Sequence, residues 1–442
     1  MSQIVRELVN LIQQKLANRF LRNVGWLGLS EVLIRISRLA ATVVLARWLT
    51  EYDYGLAALV LTTNEFVNVF TRNGIFDKLI QANDDDIEVL SQTAYYLNWL
   101  ICGGLFLIQA AAALVMGWIY KDNQVILPIC TMGLVYLMLP LGLVQAARSQ
   151  RENRLHVSAL ANGLQISVDN ILTMILAWLG WGMWAIVLPK VLVAPIWVII
   201  HRWHHPWRSQ TLFLISSGAS FSLQRWREII HFGRSILGVQ MLATLRNNLD
   251  YLIAGHFLGI KALGLYYFAF NAGLGISLSL INALDSALYP HLCDAKNDPI
   301  QFEKRYQKGL QTITKMILPL VLIQVIFAPI YVPLVFGSKW IPAVPLLILI
   351  CLSAVPRPYA NAAAKALWAI DQPHWDLRWN LLFTTIFALA VCIGVIWQIL
   401  GVAVAVLVIH LVAIPIFVIW VTQYIKHRSK NHAQSISNCP SV

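Results

Sequence analysis

Apolar segments of about 20 residues recur from residue 24 to residue 424. An α-helix of that length crosses the hydrocarbon core of a bilayer, so each segment predicts a membrane-spanning helix. The short turn Gly180-Trp181-Gly182 separates two of these segments. The twelve predicted spans cover residues 24–46, 54–76, 94–119, 125–147, 157–179, 181–201, 232–255, 264–289, 312–336, 342–367, 379–398 and 400–424.

Composition supports a polytopic membrane protein. Hydrophobic residues make up 58% of the chain and charged residues only 12%, about half the charged share of a soluble protein. The net charge of +12 would suggest nucleic acid as a partner for a soluble chain. Here the basic residues lie in short loops between spans, where they act as topology signals and contact anionic lipids. We therefore expect membrane lipids as partners and no nucleic acid.

The distribution of basic residues predicts the orientation of the chain. Most loop lysines and arginines fall on one side, while the other side receives little beyond Arg47, Lys121, Lys261 and Lys339. The positive-inside rule then places the N- and C-termini in the cytoplasm and requires an even number of spans. Residues 4–20 have the apolar and basic pattern of an amphipathic helix on the cytoplasmic surface. No external loop is long enough for a catalytic domain.

A weak internal repeat suggests a duplication. Arg38 and Ala46 lie 208 residues before Arg246 and Ala254. Six spans per half would form two six-helix bundles related by a pseudo-two-fold axis along the membrane normal. The predicted organisation is an amphipathic helix at 1–23, bundles at 24–201 and 230–425, a cytoplasmic linker at 202–229 and a disordered tail at 426–442.

Three ionisable residues interrupt the first predicted span on a single helix face. Glu31, Arg35 and Arg38 are spaced by four and three residues. Each charge at the centre of a membrane helix costs about 2.5–3.5 kcal/mol on insertion scales, so this face is excluded from lipid. It must face water, another charge or a substrate, which makes it a candidate functional site.

Other predicted spans carry polar side chains too. The structural interpretation of such residues is that they join helices through buried hydrogen bonds and ion pairs. The alternative is that they line a cavity, and for the cations we favour the cavity because the spans contain too few carboxylates to pair them all. The predicted cationic lining is Arg35, Arg38, Arg246, Arg357 and Lys365. The predicted polar lining and coupling-ion candidates are Glu31, Glu65, Asn68, Asp169, Asn247 and Asp285.

The excess of positive charge indicates the class of substrate. A cavity lined by arginine and lysine attracts an anion, and phosphate or pyrophosphate accepts bidentate guanidinium hydrogen bonds best. Arg357 is flanked by Pro356 and Pro358, which break a membrane helix in a manner found where transporters bind substrates. A structural kink is the other interpretation of this motif.

The sequence contains no motif for enzyme chemistry. It has no nucleotide-binding Gly-Lys-Ser/Thr loop, no nucleophile elbow and no metal-binding motif. The six cysteines are scattered, and His201, His204 and His205 fit an interfacial loop better than a metal site. We therefore expect a transporter rather than an enzyme, with no cofactor and no bound metal, driven by a gradient or by removal of its substrate.

Three segments resemble a known family. Residues 44–56 (VLARWLTEYDYGL), 73–81 (NGIFDKLIQ) and 333–345 (PLVFGSKWIPAVP) are similar to polysaccharide-export flippases of the multidrug/oligosaccharidyl-lipid/polysaccharide (MOP) flippase superfamily. The resemblance covers about residues 20–425. It implies two six-helix bundles across a central cavity that opens alternately to the two sides of the bacterial inner membrane.

The resemblance also implies a substrate, an oligosaccharide repeat unit linked to undecaprenyl pyrophosphate. Cavity arginines of the family are associated with the pyrophosphate, a role that Arg35, Arg38, Arg246 and Arg357 would take here. Coupling to H⁺ or Na⁺ through Glu65, Asp169 or Asp285, and partnership with a polymerase and glycosyltransferases, are further expectations.

Two other functions are open on sequence grounds. A drug or cation exporter of the same superfamily would need mainly acidic residues in its cavity. A membrane glycan polymerase or ligase would need a large external loop for its chemistry.

Overall fold

Every regular element that the structure describes is helical. The computed structural model describes residues 19–71, 74–81, 84, 86–208, 223–274, 288–296 and 298–437. Within these ranges, the structure describes only the backbone of residues 19–32, 223–236, 239, 274 and 431–437. The predicted amphipathic helix at 4–20 therefore lies almost entirely outside the described residues. The chain divides at 245/246 into two compact units, and each is described by itself.

Among its described residues, the first unit contains eight complete α-helices. Its helices are α1 (Arg19–Trp48), α2 (Glu51–Asn68), α3 (Ile75–Gln81), α4 (Ile87–Tyr120), α5 (Ile126–Met138), α6 (Pro140–Arg151), α7 (Leu155–Trp178) and α8 (Trp184–His204). Helix α7 packs between α1 and α8, while α4 packs on α5. Thr50 caps α2, since its side chain accepts a hydrogen bond from the backbone N–H of Asp53 at 3.2 Å.

Helix α9 (Leu223–Leu258) spans the division between the units. The remaining helices of the second unit are α10 (Ile260–Ala269), α11 (Pro299–Tyr331), α12 (Val344–Ala354), α13 (Arg357–Ala369), α14 (Pro373–Gly394) and α15 (Gln398–Ser437). Residues 288–293 add one short helical segment. Helix α15 contacts α12, α13 and α14, and it extends past the boundary at 425/426 that the sequence predicted for the second bundle.

The helical architecture that the sequence predicted is confirmed. Each of the twelve predicted spans coincides at least in part with a helix. Within the described ranges, six helical segments are long and apolar enough to cross a membrane. A seventh is added if α5 and α6, which meet at a bend of 50°, count as one span. The total of twelve stays a prediction.

Glycine makes the predicted turn between α7 and α8. Gly180 and Gly182 have φ angles of +78° and +52°, a region that L side chains rarely adopt. A Cβ atom on Gly182 would also lie 2.6 Å from Oδ1 of Asp53. The two helices therefore separate at the position where the sequence places the turn.

Helices α14 and α15 form an antiparallel hairpin. The rings of Trp379 and Phe417 stack with centroids 4.7 Å apart. Nearer the turn, a Cβ atom on Gly394 would lie 2.7 Å from the carbonyl oxygen of Gly401. The hairpin can close this tightly only because neither position carries a side chain.

The segment after α8 is anchored to the first unit. Trp207 is buried, and its indole N–H donates to Oε1 of Glu88 at 2.7 Å. The other carboxylate oxygen of Glu88 accepts from Arg148 at 2.7 Å. Gln145 donates to the backbone oxygen of Trp207 at 3.0 Å. The first residues of the predicted linker are thus bound to α4 and α6.

Candidate functional site

Arg246 begins a chain of polar contacts inside the second unit. Its guanidinium donates a hydrogen bond to the amide oxygen of Asn380. The amide nitrogen of Asn380 donates to Oδ1 of Asp376 at 2.9 Å. The other carboxylate oxygen of Asp376 accepts from the indole N–H of Trp368 at 3.0 Å. Helices α9, α13 and α14 are therefore joined by one polar network.

Arg357 lies at the break that the sequence predicted between two prolines. Helix α12 ends at Ala354 and α13 starts at Arg357, with Pro356 at the N-cap. Nε of Arg357 is buried without a hydrogen-bond partner, and no ion pair or hydrogen bond of this side chain occurs among the described residues. The guanidinium lies 6.0 Å from the ring centre of Phe270. The helix dipole adds further positive potential here, because the N-terminus of a helix is its positive end.

One buried carboxylate lies in the electrostatic field of Arg357. Asp250 is 4% exposed, accepts a hydrogen bond from the hydroxyl of Tyr266 at 2.7 Å, and interacts electrostatically with Arg357. Tyr266 is itself fully buried. The tyrosine hydroxyl stabilises the carboxylate, which leaves the donors of Arg357 available.

The side chain of Lys365, on α13, lies between two aromatic rings. Its ammonium is 4.4 Å from the ring centre of Trp368 and 5.4 Å from that of Tyr289. Contact with ring faces stabilises a cation without consuming its N–H donors. Lys365 also interacts electrostatically with Asp376, which links it to the Arg246 network.

These groups carry more positive than negative charge. Arg246 interacts electrostatically with both Asp376 and Arg357, so the two arginines belong to one field. Three cations, Arg246, Arg357 and Lys365, stand against two carboxylates, Asp250 and Asp376. Such a cluster favours an anionic ligand, and an oxyanion can take the unoccupied guanidinium donors. We call these five residues the cationic cluster.

The first unit pairs its membrane charges differently. Oδ2 of Asp169 on α7 forms an ion pair with the ammonium of Lys190 on α8 at 3.0 Å. The neighbouring Asn170 donates to the hydroxyl of Ser37 on α1 at 2.9 Å. Oδ1 of Asp169 is buried without a hydrogen-bond partner. Asp169 is therefore already neutralised by a lysine, which the sequence analysis did not consider.

The remaining predicted site residues that the structure describes differ in exposure and contacts. Arg35 and Arg38 are exposed on α1, and Glu65 is exposed on α2. Asn68 accepts from the hydroxyl of Thr71 at 3.1 Å, and Asn247 is exposed beside Arg246 without joining its network. The side chain of Glu31 and the whole of Asp285 lie outside the described residues.

Two residues of the Arg246 network that the sequence analysis did not predict, Asp376 and Asn380, follow a helical pattern. Asp376 and Asn380 are one helical turn apart, and Thr384 follows after another turn, so the three lie on one face of α14. The predicted span began at residue 379, which left Asp376 outside the membrane segment. Lys190 carries no comparable signal, because it is a lone lysine in an apolar span.

No group of histidine, cysteine, aspartate and glutamate side chains able to hold a metal occurs in the described part of the chain. Instead, Nδ1 of His201 and of His204 each contacts the carbonyl oxygen one turn earlier, at 2.9 Å. His205 binds Glu152 at 3.1 Å. His201 and His204 thus bond within the last turn of α8 rather than lying in the loop that the sequence predicted.

Solved structures with the same architecture define the class of protein. An inward-facing multidrug-resistance MATE transporter of the MOP superfamily aligns with a TM-score of 0.68 and 14% identity, covering 89% of this chain and 95% of that one. The lipid II flippase MurJ in an inward closed conformation aligns with a TM-score of 0.66 and 12% identity, covering 94% and 93%. The chain therefore has the fold of MOP-superfamily transporters.

Sequence comparison narrows the class to a family. The family model described as polysaccharide biosynthesis protein matches residues 44–345, so this chain belongs to that family. It is 22% identical to the lipopolysaccharide biosynthesis protein WzxC of Escherichia coli K12 over 84% of this chain and 74% of that protein. It is likewise 22% identical to the teichuronic acid biosynthesis protein TuaB of Bacillus subtilis 168, over 80% and 72%.

Proposed function

We propose that this protein is a flippase for lipid-linked oligosaccharides. It would translocate repeat units linked to undecaprenyl pyrophosphate across the bacterial inner membrane by alternating access, with both termini in the cytoplasm. The carrying observation is the cationic cluster, in which the guanidinium of Arg357 has no hydrogen-bond partner among the described residues. Membership of a polysaccharide biosynthesis family supports a glycan as the rest of the substrate.

The charge of the cluster suits the diphosphate. Arg357 supplies a planar fork that fits two oxyanion oxygens, and Arg246 adds charge from α9. Asn380 and Trp368 fix the carboxylate of Asp376 through hydrogen bonds. Asp376 therefore stabilises Arg246 and does not occupy the position of the bound anion. In a medium that excludes water these interactions are stronger than at a protein surface.

Coupling to H⁺ or Na⁺ is a second part of the proposal. The described carboxylates inside predicted spans have contrasting surroundings. Asp169 is paired with Lys190, whereas Asp250 is bound by a tyrosine hydroxyl and is buried. Asp250 is therefore a better candidate than Asp169 for binding a coupling proton, because no lysine or arginine forms an ion pair with it among the described residues.

An exporter of organic cations is the main alternative, since MATE transporters share the fold. Its substrate would carry positive charge and would be repelled by the cationic cluster. The exporter therefore requires a site in which acidic residues outnumber basic ones. In the cationic cluster of the second unit, basic residues outnumber acidic ones.

The test is the accumulation of lipid-linked oligosaccharide in a deletion strain, complemented with wild type, Arg357→Ala or Lys304→Gln. Lys304 is an exposed cation outside the cluster, so its variant is the matched control. We expect accumulation without surface glycan in the deletion strain, accumulation with reduced surface glycan with Arg357→Ala, and full rescue with the control. Surface glycan at wild-type level in the deletion strain would disprove the flippase.

A further inference from the structure

A recess opens beside the C-terminal part of α15, in the second unit. It has a volume of about 520 Å³ and is lined by Trp420, Gln423, Tyr424, His427 and Arg428. All five side chains carry an N–H or O–H donor, and none carries a carboxylate. The recess is separate from the cationic cluster, none of whose residues lines it.

The donors of the recess are largely unused. The side chains of Trp420, Gln423, Tyr424 and Arg428 make no hydrogen bond to another described residue. Arg428 also has no acidic partner in that part of the chain. The guanidinium of Arg428 carries a full positive charge and a planar pair of N–H donors. This group matches a phosphate better than a single carbonyl oxygen.

Aromatic rings surround the recess and extend it toward a second arginine. The rings of Trp420 and Tyr424 stack with centroids 5.9 Å apart, and Trp375 of α14 lies 5.2 Å from Trp420. The guanidinium of Arg378 lies 5.1 Å from the ring centre of Trp375. Tryptophan and tyrosine at such positions sit at the level of lipid headgroups, with their rings toward the acyl chains.

The approach to the recess is apolar. The same helix exposes Val412, Ile416 and Ile419 in the turns before Trp420. In a membrane protein such a surface faces acyl chains, so a ligand with an apolar tail reaches the recess from within the bilayer. A free phosphate ion would gain nothing from this surface. The hydrogen-bond donors of the recess and its apolar approach together fit one class of molecule, a lipid with a phosphate headgroup.

We propose that this recess binds the headgroup of an anionic phospholipid from the leaflet at the C-terminal end of α15, which the positive-inside rule makes the cytoplasmic leaflet. Arg428 and His427 contact the phosphate, Gln423 and Tyr424 donate hydrogen bonds to it, and Trp420 packs on the upper part of the acyl chains. This binding goes beyond the proposed flippase function and does not require it.

Native mass spectrometry of the delipidated full-length protein in detergent tests the proposal. Phosphatidylglycerol is titrated into wild type, Arg428→Gln and Lys430→Gln, with phosphatidylethanolamine as the zwitterionic lipid of zero net charge. Lys430 lies on the same exposed turn but does not line the recess, so it controls for net charge. We expect Arg428→Gln to weaken phosphatidylglycerol binding about tenfold and Lys430→Gln to leave it unchanged.

Three results with these two phospholipids would overturn the proposal. They are equal phosphatidylglycerol binding by wild type and Arg428→Gln, an equal loss in Lys430→Gln, and phosphatidylethanolamine binding as tight as phosphatidylglycerol. Preferential binding of a polyprenyl diphosphate at Arg428 would also contradict it, because the occupant would then be the carrier lipid. Gel filtration confirms that each variant is folded, and no transport is measured, so failure of the flippase would not affect the outcome.

Discussion

At the scale of single residues, the unpartnered guanidinium of Arg357 is the most informative feature. Arg357 is half-buried, and its Nε is buried without a hydrogen-bond partner, which is destabilising because burial removes the hydration of that donor. Asp250 offsets part of that cost from a distance, but it is itself held by Tyr266. A side chain kept in this state is expected to have a ligand during part of the working cycle.

We expect Arg357→Ala to lower the rate of glycan transport by about tenfold or more, because it removes charge-assisted hydrogen bonds to the diphosphate. Arg357→Lys keeps the charge but loses the planar fork, so it should retain an intermediate rate. Initial rates of surface glycan export in complemented cells, normalised to protein level, measure both. Identical rates for the lysine and alanine variants would show that charge at this position is irrelevant.

At the scale of elements, the α14–α15 hairpin depends on two glycines. A Cβ atom on Gly394 would approach a backbone oxygen of Gly401 to 2.7 Å, and backbone cannot move aside as the end of a side chain can. Gly104 on α4 is a useful contrast, because no atom lies within 4 Å of a Cβ atom built there.

Gly394→Ala is therefore expected to destabilise the protein by about 1–3 kcal/mol through overpacking. Gly104→Ala should have the opposite sign and stabilise by about 0.4–1 kcal/mol, because alanine restricts the unfolded chain. The midpoints of thermal unfolding in detergent compare the two variants with wild type. Equal midpoints of thermal unfolding for the Gly394→Ala and Gly104→Ala variants would contradict this account of the packing of the hairpin.

The anchored segment after α8 is a second element with a testable property. The backbone N–H of Trp207 donates to Nδ1 of His205 at 3.2 Å, which requires that nitrogen to be unprotonated. Burial lowers the pKa of His205 below its ordinary value of 6.5, and the charges of Arg148 and Arg154 lower this pKa further. Glu152 acts in the opposite direction without reversing the shift.

The sign of the pH effect follows from this lowered pKa. The unfolded chain takes up a proton at His205 at a higher pH than the folded protein does, so acid favours unfolding. Neutral His205 makes its full contribution to the free energy of unfolding above pH 6.5, and this contribution decreases as the pH falls below that value. We expect the difference in thermal midpoint between wild type and His205→Gln to shrink from pH 7.5 toward about pH 5. A difference independent of pH would mean that His205 does not titrate in this range.

At the scale of the whole molecule, apolar length and charge pattern were enough to predict a helical membrane protein. Proline chemistry likewise placed the helix break at Pro356, since proline cannot continue the hydrogen-bonding of the preceding helix. The ion pair between Lys190 and Asp169 could not be predicted from periodicity. It depends on which faces of α7 and α8 meet, and that is decided by packing of the whole unit rather than by either helix.

The cationic cluster shows the same limit of sequence patterns. Arg246, Arg357 and Lys365 were predicted individually from their positions inside apolar spans. The connection of Arg246 and Lys365 through Asn380 and Asp376 depends on the approach of α9, α13 and α14. The polar stripe on α14 was visible in the sequence, but its partner across the helix interface was not.

Transport of a defined substrate in proteoliposomes tests the central claim most directly. The purified protein is reconstituted with a polyprenyl-pyrophosphate-linked oligosaccharide, and the fraction accessible to an external glycosidase is followed over time. We predict rapid transbilayer movement with wild type and Lys304→Gln, and none above empty vesicles with Arg246→Gln combined with Arg357→Gln. Movement at the wild-type rate in the double variant would contradict the role of the cationic cluster, and no movement with wild type would contradict the flippase itself.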